Sequence, residues 1–504
     1  MKNLVVCCDG TWNTPTEMDH GVPSPTNVVK LYNALLQNDA QLAYYHPGVG
    51  AGKSWWDHIA GGSTGEGLDQ NIMSAYRWLG THYEVGDNIF LFGFSRGAYT
   101  VRSLGGLITK CGLVDLSARM TPDAVWRRVG EVFAAYRKGV EFANPDNYRF
   151  YNTPSGQSAK ETTPIHFIGV WDTVGALGIP DDFALLGLLD SPTRYRFHDT
   201  TLSRLVSHAR HAVAVDEKRA SFAPTLWAQA PYTDMKQFWF PGVHCDVGGG
   251  YVETGLSDRA LEWMIEEAEG CGLSFRPGVR AQLKPDPLGV EHDSCTGVFK
   301  ALKTKPRSAP PIPADAAILD KSTIVRSKNP PLLQGDYWPT EVLPAGKSRT
   351  VDIYAAEHWC RTKLYLEAGK TYQFSATGQW VDHRDRFGPA GGESTGFHLG
   401  DLVRATSSLF GEAETMFKNI TGREADFWYT RRDEQAPWFA LMGFIASDVG
   451  EDAKTQASGE TFMIGESATR TPKLGGYLYC FANDAWQTYG NNRGSVQLTV
   501  TCVS

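Results

Sequence analysis

One segment restricts the fold of this chain more than any other. The apolar run Asn88–Phe92 leads directly into the pattern G-x-S-x-G at residues 93–97, and a helical pattern begins near Ala98. A buried strand that turns abruptly into a helix is typical of a parallel sheet whose faces are covered by helices. The two glycines permit the sharp turn and the close approach of the helix, which holds Ser95 in a strained, exposed position. We therefore predict an α/β sheet with a serine presented at one edge.

The remainder of the first 270 residues repeats this alternation of short β-branched runs and amphipathic helical stretches. The strands predicted are Leu4–Cys8, Leu42–Tyr45, Asn88–Phe92 and Ile165–Trp171, and the helices are Asn27–Leu36, Leu68–Leu79, Ala124–Arg137 and Ala260–Cys271. Such alternation favours a parallel sheet flanked by helices. His208 and His211 are predicted to lie on a further helical stretch.

The chain has 504 residues, of which 42% are hydrophobic and 21% charged, and it is too long for one ordinary core. Lys303–Asp315 is rich in proline, which excludes a regular helix or central strand and predicts a surface connection. Beyond Pro344 short alternating segments replace the helical periodicity, and they predict an all-β sandwich. We expect an α/β domain at residues 1–344 and a β-sandwich at residues 345–504.

The charge of the chain argues against a nucleic-acid partner, and its apolar runs argue against a transmembrane segment. The net charge of -8, without a basic stripe, argues against nucleic acid. The start of the chain reads as a first strand rather than a signal peptide, and no apolar run approaches the ~18 to 20 residues that span a bilayer. We expect synthesis in the cytoplasm and only peripheral membrane contact. The nine cysteines show no metal-binding spacing and are expected to be reduced. If the C-terminal part is located outside the cell, Cys480 or Cys502 is a candidate disulfide partner for Cys360.

A nucleophilic serine needs a base and an acid that orients the base. His244 follows an aromatic strand and begins a glycine-rich segment, which is a suitable position for the base. Asp172 ends the apolar strand Ile165–Trp171 and is the candidate acid, while Asp246 is the rival because it lies two residues from His244. An aspartate in the position of Asp172 can also serve only to cap a turn. The order serine, aspartate, histidine is that of α/β-hydrolases, so we expect residues 1–344 to form an α/β-hydrolase catalytic domain built on a doubly wound parallel sheet.

The negative charge that develops on the substrate oxygen needs backbone donors. The amide of Arg96, at the start of the helix, is one candidate, and a second is the amide of Gly10 or Thr11 after the first strand. This hydrolase chemistry requires no cofactor.

Two further patterns point to phosphate chemistry. The segment 48–54 resembles a phosphate-binding loop, but Pro47 stands where the pattern requires glycine, so ATP hydrolysis is not predicted. The segment 8–11 resembles the D-x-D-G-T motif of aspartyl phosphatases, but Cys7 stands in the nucleophile position, so the motif lacks its reactive group. An aspartate-dependent phosphatase that uses Asp9 is the alternative enzyme class.

Several motifs from Cys8 to Tyr251 occur together and in a specific order. They are Cys8-Asp9-Gly10-Thr11-Trp12-Asn13, Tyr45-His46-Pro47-Gly48-Val49-Gly50, Gly93-Phe94-Ser95-Arg96-Gly97-Ala98, Gly169-Val170-Trp171-Asp172-Thr173-Val174-Gly175 and His244-Cys245-Asp246-Val247-Gly248-Gly249-Gly250-Tyr251. Together they resemble the α/β-hydrolase family that includes type VI secretion phospholipase effectors. The resemblance implies phospholipase A activity that uses Ser95, Asp172 and His244.

The same resemblance implies a membrane phospholipid as substrate, secretion-apparatus and immunity proteins as partners, an antibacterial role, and delivery to the envelope of a target cell. The apolar stretch Ala176–Leu189 is interpreted either as a lid or acyl-binding wall or as a buried helix.

The C-terminal part has its own resemblance. Asn483-Asp484-Ala485-Trp486-Gln487-Thr488-Tyr489-Gly490-Asn491-Asn492-Arg493-Gly494-Ser495, with Trp438-Phe439-Ala440-Leu441 and Arg386-Phe387-Gly388-Pro389, resembles the calcium-dependent galactophilic bacterial lectins. The resemblance implies a Ca²⁺ site and a carbohydrate ligand. The implied metal ligands are Asp484, Thr488, Asn491 and Asn492, with a further carbonyl near Val381–His383.

The chain departs from those lectins through an aromatic-rich insertion, Gly391–Pro437, where their sugar-contacting residues would lie. We interpret its aromatic side chains as contacts for a membrane, a partner or the hydrolase domain. They are Phe397, Phe410, Phe417, Phe427, Trp428 and Tyr429. A carbohydrate- or envelope-binding protein with an inert hydrolase domain is the non-enzymatic alternative.

Overall fold

The computed structural model describes residues 1–10, 18–48, 64–144, 146, 148–151, 163–175, 202–296, 299–300, 303–392, 431–447 and 459–503. Four predicted features lie outside these residues: Thr11, most of the glycine-rich segment 48–54, the apolar stretch Ala176–Leu189 and the aromatic side chains of the insertion. The chain divides into two compact units, one of residues 1–296 and 316–333, the other of residues 297–315 and 334–504.

A parallel sheet forms the N-terminal unit, as the strand–turn–helix segment predicts. Its strands are β1 (Asn3–Cys8), β2 (Gln41–His46), β3 (Asn88–Phe94), β4 (Ile165–Trp171), β5 (Val206–Ala214) and β6 (Asp234–Phe240). Within the described residues the sheet has six strands in the order β2-β1-β3-β4-β5-β6, and neighbouring strands run parallel. The strand order reverses between β1 and β3. Ligands of open α/β sheets commonly bind at the carboxyl ends of the strands beside such a point.

Helices cover both faces of this sheet. They are α1 (Asn27–Ala34), α2 (Thr64–His82), α3 (Arg96–Cys111), α4 (Pro122–Arg137), α5 (His244–Gly248), α6 (Gly255–Gly270), α7 (Val279–Gln282) and α8 (Lys321–Lys328), with a 3₁₀ turn at Ala220–Phe222 and a short hairpin of Met18–Asp19 and Val22–Pro23. Side chains of β1 alternate between two apolar cores: Leu4 and Val6 pack with α2, α3 and α4, whereas Val5 and Cys7 pack with α1 and α6. The predicted parallel sheet with flanking helices is confirmed.

The expected helix at His208 and His211 is wrong, because both residues lie in strand β5. Several residues of this strand are polar, so its sequence lacks the apolar pattern that would predict a buried strand. Arg210, for example, is 2% exposed, and its guanidinium donates to Glu267 and Asp234, each at 2.6 Å. Buried polar groups with partners of this kind cannot be told from surface residues by sequence pattern alone.

The C-terminal unit is built from antiparallel strands in two sheets. The strands are β7 (Ser348–Tyr354), β8 (Cys360–Leu366), β9 (Tyr372–Asp382), β10 (Asp385–Phe387), β11 (Leu441–Ser447), β12 (Glu460–Met463), β13 (Ser467–Arg470), β14 (Gly476–Ala482) and β15 (Asn492–Cys502), with a 3₁₀ turn at Tyr489–Asn491. The sheet orders are β8-β14-β11-β12 and β10-β9-β15-β7, with β13 beside β9. One apolar core draws side chains from both sheets, as the period-two alternation of β9 predicts.

The segment Lys303–Asp315 is irregular, as its prolines predict, but it is not simply a surface connection. Ile312 is fully buried in the second unit, and its amide donates to the Tyr477 hydroxyl at 2.9 Å. All nine cysteines are free thiols. In the parts of the chain that the structure describes, no helix combines the length and apolar character needed to cross a membrane.

Candidate functional site

Ser95 occupies the turn between β3 and α3 with backbone angles of φ 57° and ψ -122°. A residue with a side chain rarely adopts these angles, and the strain costs about 1–3 kcal/mol. The glycines on either side explain the turn. A Cβ on Gly97 would lie 2.1 Å from the Cys8 carbonyl oxygen, and one on Gly93 would lie 2.4 Å from the Gly97 oxygen. Helix α3 therefore begins directly against the end of β1, which holds Ser95 at the predicted edge. The residue is only 7% exposed, so the predicted exposed position is wrong.

Asp172 and His244 are brought together although 72 positions separate them. Asp172 follows β4 and is completely buried, and its Oδ2 lies 2.5 Å from His244 Nδ1. Its Oδ1 accepts the amide of Ala214 at 2.9 Å, so both carboxylate oxygens are held. The Ser95 amide donates to the Trp171 carbonyl at 3.1 Å, which places the turn of the serine beside the turn of the aspartate.

His244 is the first residue of the one-turn helix α5, rather than part of an irregular loop. The Phe94 ring lies 4.6 Å from the imidazole, centroid to centroid, and the Phe222 ring lies 5.0 Å away. Phe94 directly precedes Ser95, so the imidazole lies against the serine turn. Burial lowers the pKa of His244, and the carboxylate of Asp172 opposes this shift.

The rival acid Asp246 has different partners. Its Oδ2 accepts the amides of Val243 at 3.0 Å and His292 at 3.1 Å, and its Oδ1 lies 2.6 Å from His292 Nδ1. These contacts fix the start of α5 and connect it to a later segment of the chain. Asp246 therefore braces the glycine-rich segment, while Asp172 contacts the imidazole of His244.

The candidate oxyanion donors lie where β1 meets α3. The Arg96 amide is the first of the helix, where amides lack intrahelical partners. The Gly10 amide donates to Asp9 Oδ1 at 2.7 Å. Asp9 is 2% exposed, and its Oδ2 accepts the hydroxyls of Thr26 at 2.8 Å and Tyr45 at 2.9 Å. Asp9 thus connects β1, the start of α1 and β2, which is a structural role for the residue that the phosphatase alternative requires.

A group of side chains next to His244, built around a buried ion pair, was not predicted from the sequence. Glu217 has a fully buried side chain that pairs with Arg219 at 2.7 Å, and the His244 amide donates to Glu217 Oε2 at 3.3 Å. The guanidinium carbon of Arg219 lies 3.5 Å from the Phe222 ring centroid. The signal present in the sequence is the run of four charged residues Asp216-Glu217-Lys218-Arg219, shortly after a buried strand, but nothing local connects it to His244.

The implied calcium ligands also come together. Asp484 Oδ1 accepts the Thr488 hydroxyl at 2.7 Å, and its Oδ2 accepts the Asn492 amide at 2.9 Å. Asn491 donates to the carboxylate of Asp382. The sequence predicted a backbone carbonyl in this segment but not this side chain. Burial, which has the larger effect, and the charge of Asp382 together raise the pKa of Asp484 to about 6.

Two oxygens in this cluster have no hydrogen-bond partner among the residues that the structure describes. They are Asn491 Oδ1 and Asn492 Oδ1, and both atoms are buried. An amide oxygen without a partner is costly to bury, and oxygen atoms of this kind are the ligands that Ca²⁺ prefers. The donor set therefore fits a hard cation.

Comparison with known proteins gives a match to one family model. Residues 2–267 match the catalytic domain of the type VI secretion Tle1-like phospholipase effectors. The uncharacterized protein YEL023C of Saccharomyces cerevisiae is 30% identical over 252 residues, which cover 46% of this chain and 33% of that protein. The chain therefore spans about a third of the length of this curated relative.

Three solved structures are similar to parts of the chain. An uncharacterized protein from Pseudomonas aeruginosa is 18% identical with a TM-score of 0.32, covering 56% of this chain and 49% of that one. The Tle1 effector bound to the VgrG spike of the type VI secretion system is 19% identical with a TM-score of 0.26, covering 50% and 52%. The PllA-like lectin domain at the N-terminus of EclA is 17% identical with a TM-score of 0.18, covering 31% and 94%.

The family model covers more than half of the 504 residues, and the residues that it matches include Ser95, Asp172 and His244. On this sequence match, the chain belongs to the family of type VI secretion Tle1-like phospholipase effectors.

Proposed function

We propose that the N-terminal unit is a serine hydrolase that cleaves acyl esters of membrane phospholipids. The observation that carries this proposal is the buried Asp172–His244 pair, 2.5 Å apart, against the strained turn of Ser95. Membership in a family of phospholipase effectors supports the choice of lipid over other esters.

In the first step the Ser95 hydroxyl attacks the ester carbonyl while the imidazole of His244 accepts its proton. The bond from Oγ to the carbonyl carbon forms, and the carbonyl electron pair moves to the oxygen. Asp172 accepts from Nδ1, which leaves Nε2 unprotonated for the reaction and stabilises the imidazolium that forms. The neutral resting state of the imidazole is favoured by its burial.

The Arg96 amide, at the start of α3, is the donor that we assign to the oxyanion. A donor of this kind contributes about 2.7–4 kcal/mol to transition-state stabilisation. The imidazolium then returns its proton to the alcohol that leaves, and an acyl ester of Ser95 remains. Water, activated by His244 in the same way, releases the fatty acid and regenerates the serine.

Product analysis tests this proposal. The protein is incubated with mixed phospholipid vesicles, and free fatty acid, lysophospholipid and inorganic phosphate are quantified. In parallel, it is treated with a fluorophosphonate, which phosphonylates activated serines, and the labelled peptide is mapped. We expect fatty acid release and a label on Ser95. Phosphate release without a label would support the Asp9 alternative, and neither product nor label would support the inert binding protein.

The lowered pKa of His244 predicts the acidic limit of activity. The base must be neutral, so activity falls as the pH decreases through the pKa of the imidazole. Because burial lowers that pKa from its usual 6.5, we expect half-maximal kcat/KM at a pH below 6.5. The measurement is the pH dependence of hydrolysis of a soluble acyl ester. A midpoint above 6.5 would show that the charge of Asp172 outweighs burial.

We further propose that the chain is a type VI secretion effector with an antibacterial role, carried by the secretion apparatus and neutralised in the producing cell by an immunity protein. The similar Tle1 effector has been solved bound to the VgrG spike, which makes a spike protein the first partner to test. Co-purification of the full chain with spike proteins is the direct measurement.

For the C-terminal unit we propose a Ca²⁺ site formed by Asp484, Thr488, Asn491 and Asn492, with the carboxylate of Asp382 beside them. The buried amide oxygens without partners support it. A cation there would offset the charges of two carboxylates, of which Asp382 raises the pKa of Asp484. Carbohydrate binding stays a prediction, because most of the insertion lies outside the described residues.

Calorimetric titration tests the site. We expect Ca²⁺ to bind the full chain and to raise its melting temperature, and Asp484→Asn to weaken binding at least about 10-fold, since ligand charge sets affinity in such sites. Asp352→Asn, a carboxylate elsewhere in the same unit, is the control. Equal affinity in Asp484→Asn and wild type would refute the proposed ligand set.

A further inference from the structure

The buried charges after β5 have no part in the proton transfers, yet they surround the proposed base. Glu217 accepts from Arg219 through both oxygens, with Nε at 3.0 Å from Oε1 and Nη2 at 2.7 Å from Oε2. The Ser294 hydroxyl and the Arg219 amide also donate to Oε1, at 2.9 Å and 2.8 Å. Glu217 is therefore held from several directions and is available to hold other groups in place.

This ion pair costs free energy to bury. Removing each charge from water is unfavourable, and a hydrogen-bonded partner offsets much of that cost but gives little net stability. What a bidentate arginine–carboxylate pair supplies is a fixed geometry. We therefore expect the main effect of the pair to be the fixed position of the groups that contact it.

Two contacts lead from the pair to His244. Glu217 Oε2 accepts the His244 backbone amide at 3.3 Å. The guanidinium of Arg219 lies 3.5 Å above the Phe222 ring, whose edge meets the imidazole at a ring distance of 5.0 Å and an angle of 78°. With Phe94 on another side of the ring, the imidazole is confined by two aromatic walls.

We propose that Glu217 and Arg219 are positioning residues of the hydrolase, which hold the backbone of His244 and the Phe222 wall so that the imidazole stays directed at Ser95. This inference rests on the proposed serine mechanism and adds to it a second support for the base, which acts on the backbone amide of His244 while Asp172 contacts Nδ1.

The pair also acts on the imidazole through its charge. The charged groups that influence His244 are Asp172 after β4, and Glu217 and Arg219 after β5, while Cys245 and Asp246 lie on its own helix. Glu217 raises the pKa of His244 and Arg219 lowers it, so in the intact pair the two effects oppose one another. Removing one member leaves the other uncompensated.

The experiment measures kcat/KM against pH for a soluble acyl ester in wild type and in four variants. Glu217→Gln is expected to move the acidic midpoint to lower pH, and Arg219→Met is expected to move it to higher pH. Both should lose about 10- to 100-fold in kcat/KM from misplacement of the base. Arg219→Lys keeps the charge but not the fork, so it should lose rate with the midpoint near that of wild type. Glu267→Gln, which breaks the partly buried Arg210–Glu267 ion pair between β5 and α6, is the control.

The outcomes separate this inference from the proposed function. If wild type is inactive and Ser95 is not labelled, the serine mechanism itself fails. If wild type is active but the midpoints of Glu217→Gln and Arg219→Met do not move in opposite directions, the two residues are only structural and the inference is wrong. Should either single variant fail to fold, the remaining single variant and Arg219→Lys still give the comparison.

Discussion

Replacement of Ser95 by alanine is expected to lower kcat/KM for phospholipid hydrolysis by about 10⁴- to 10⁶-fold, because the group that forms the acyl-enzyme is lost. The residual rate would come from the oxyanion donor and substrate binding alone. Vesicle hydrolysis with quantified fatty acid is the measurement. Ser103→Ala is the matched control, since Ser103 is a buried serine in the helix that Ser95 precedes, with 4% exposure against 7%.

The stability of the Ser95 variants adds a second readout. Alanine keeps a Cβ at φ 57°, so Ser95→Ala does not relieve the strained turn and should melt within a few degrees of wild type. Ser95→Gly removes the Cβ and should be the more stable of the two. Wild-type activity in a folded Ser95→Ala protein would rule out the serine mechanism.

The second large effect is expected for Asp172→Asn, with a loss of about 10⁴-fold in kcat. The carboxylate accepts from His244 Nδ1 at 2.5 Å and from the Ala214 amide at 2.9 Å. If the asparagine amide donates to Nδ1, the proton of the imidazole moves to Nε2, and the base can no longer accept from Ser95. The midpoint of the remaining activity should also move to lower pH, since Asp172 raises the pKa of His244.

Asp246→Asn is the comparison that decides between the two candidate acids. Asp246 accepts backbone amides and contacts His292, so its replacement should reduce stability more than it reduces kcat. A loss of about 10⁴-fold in Asp246→Asn together with a small loss in Asp172→Asn would reverse the assignment. Circular dichroism and melting curves for both variants separate misfolding from loss of the acid.

Local sequence was sufficient for the framework of the site. The G-x-S-x-G turn was predictable because its geometry depends on a few neighbouring residues: the glycines are needed where a Cβ would meet backbone within 2.1–2.4 Å. The strand that ends at Trp171 is buried on both faces, so its apolar run was visible in the sequence. The alternating segments after Pro344 likewise predicted the antiparallel sheets.

Tertiary structure alone decided which residues act on one another across the sheet. Asp246 is two residues from His244 in the chain, yet Asp172, which is 72 residues away, meets its imidazole, because the ends of β4 and β6 lie on the same edge of the sheet. Glu217 and the side chain of Asp382 were not predicted, because they too meet their partners only through the fold. Strand β5 was missed because its buried polar residues find partners that only the fold provides.

The sequence by itself determined the local conformations, since these follow from glycine sterics, proline and the period of apolar residues. The pairing of charges depends on distances in space, and sequence separation carries almost no information about those distances. The orientation of the His244 imidazole, the ion pair behind it and the carboxylates around the proposed calcium site were therefore decided by the packing of the strands.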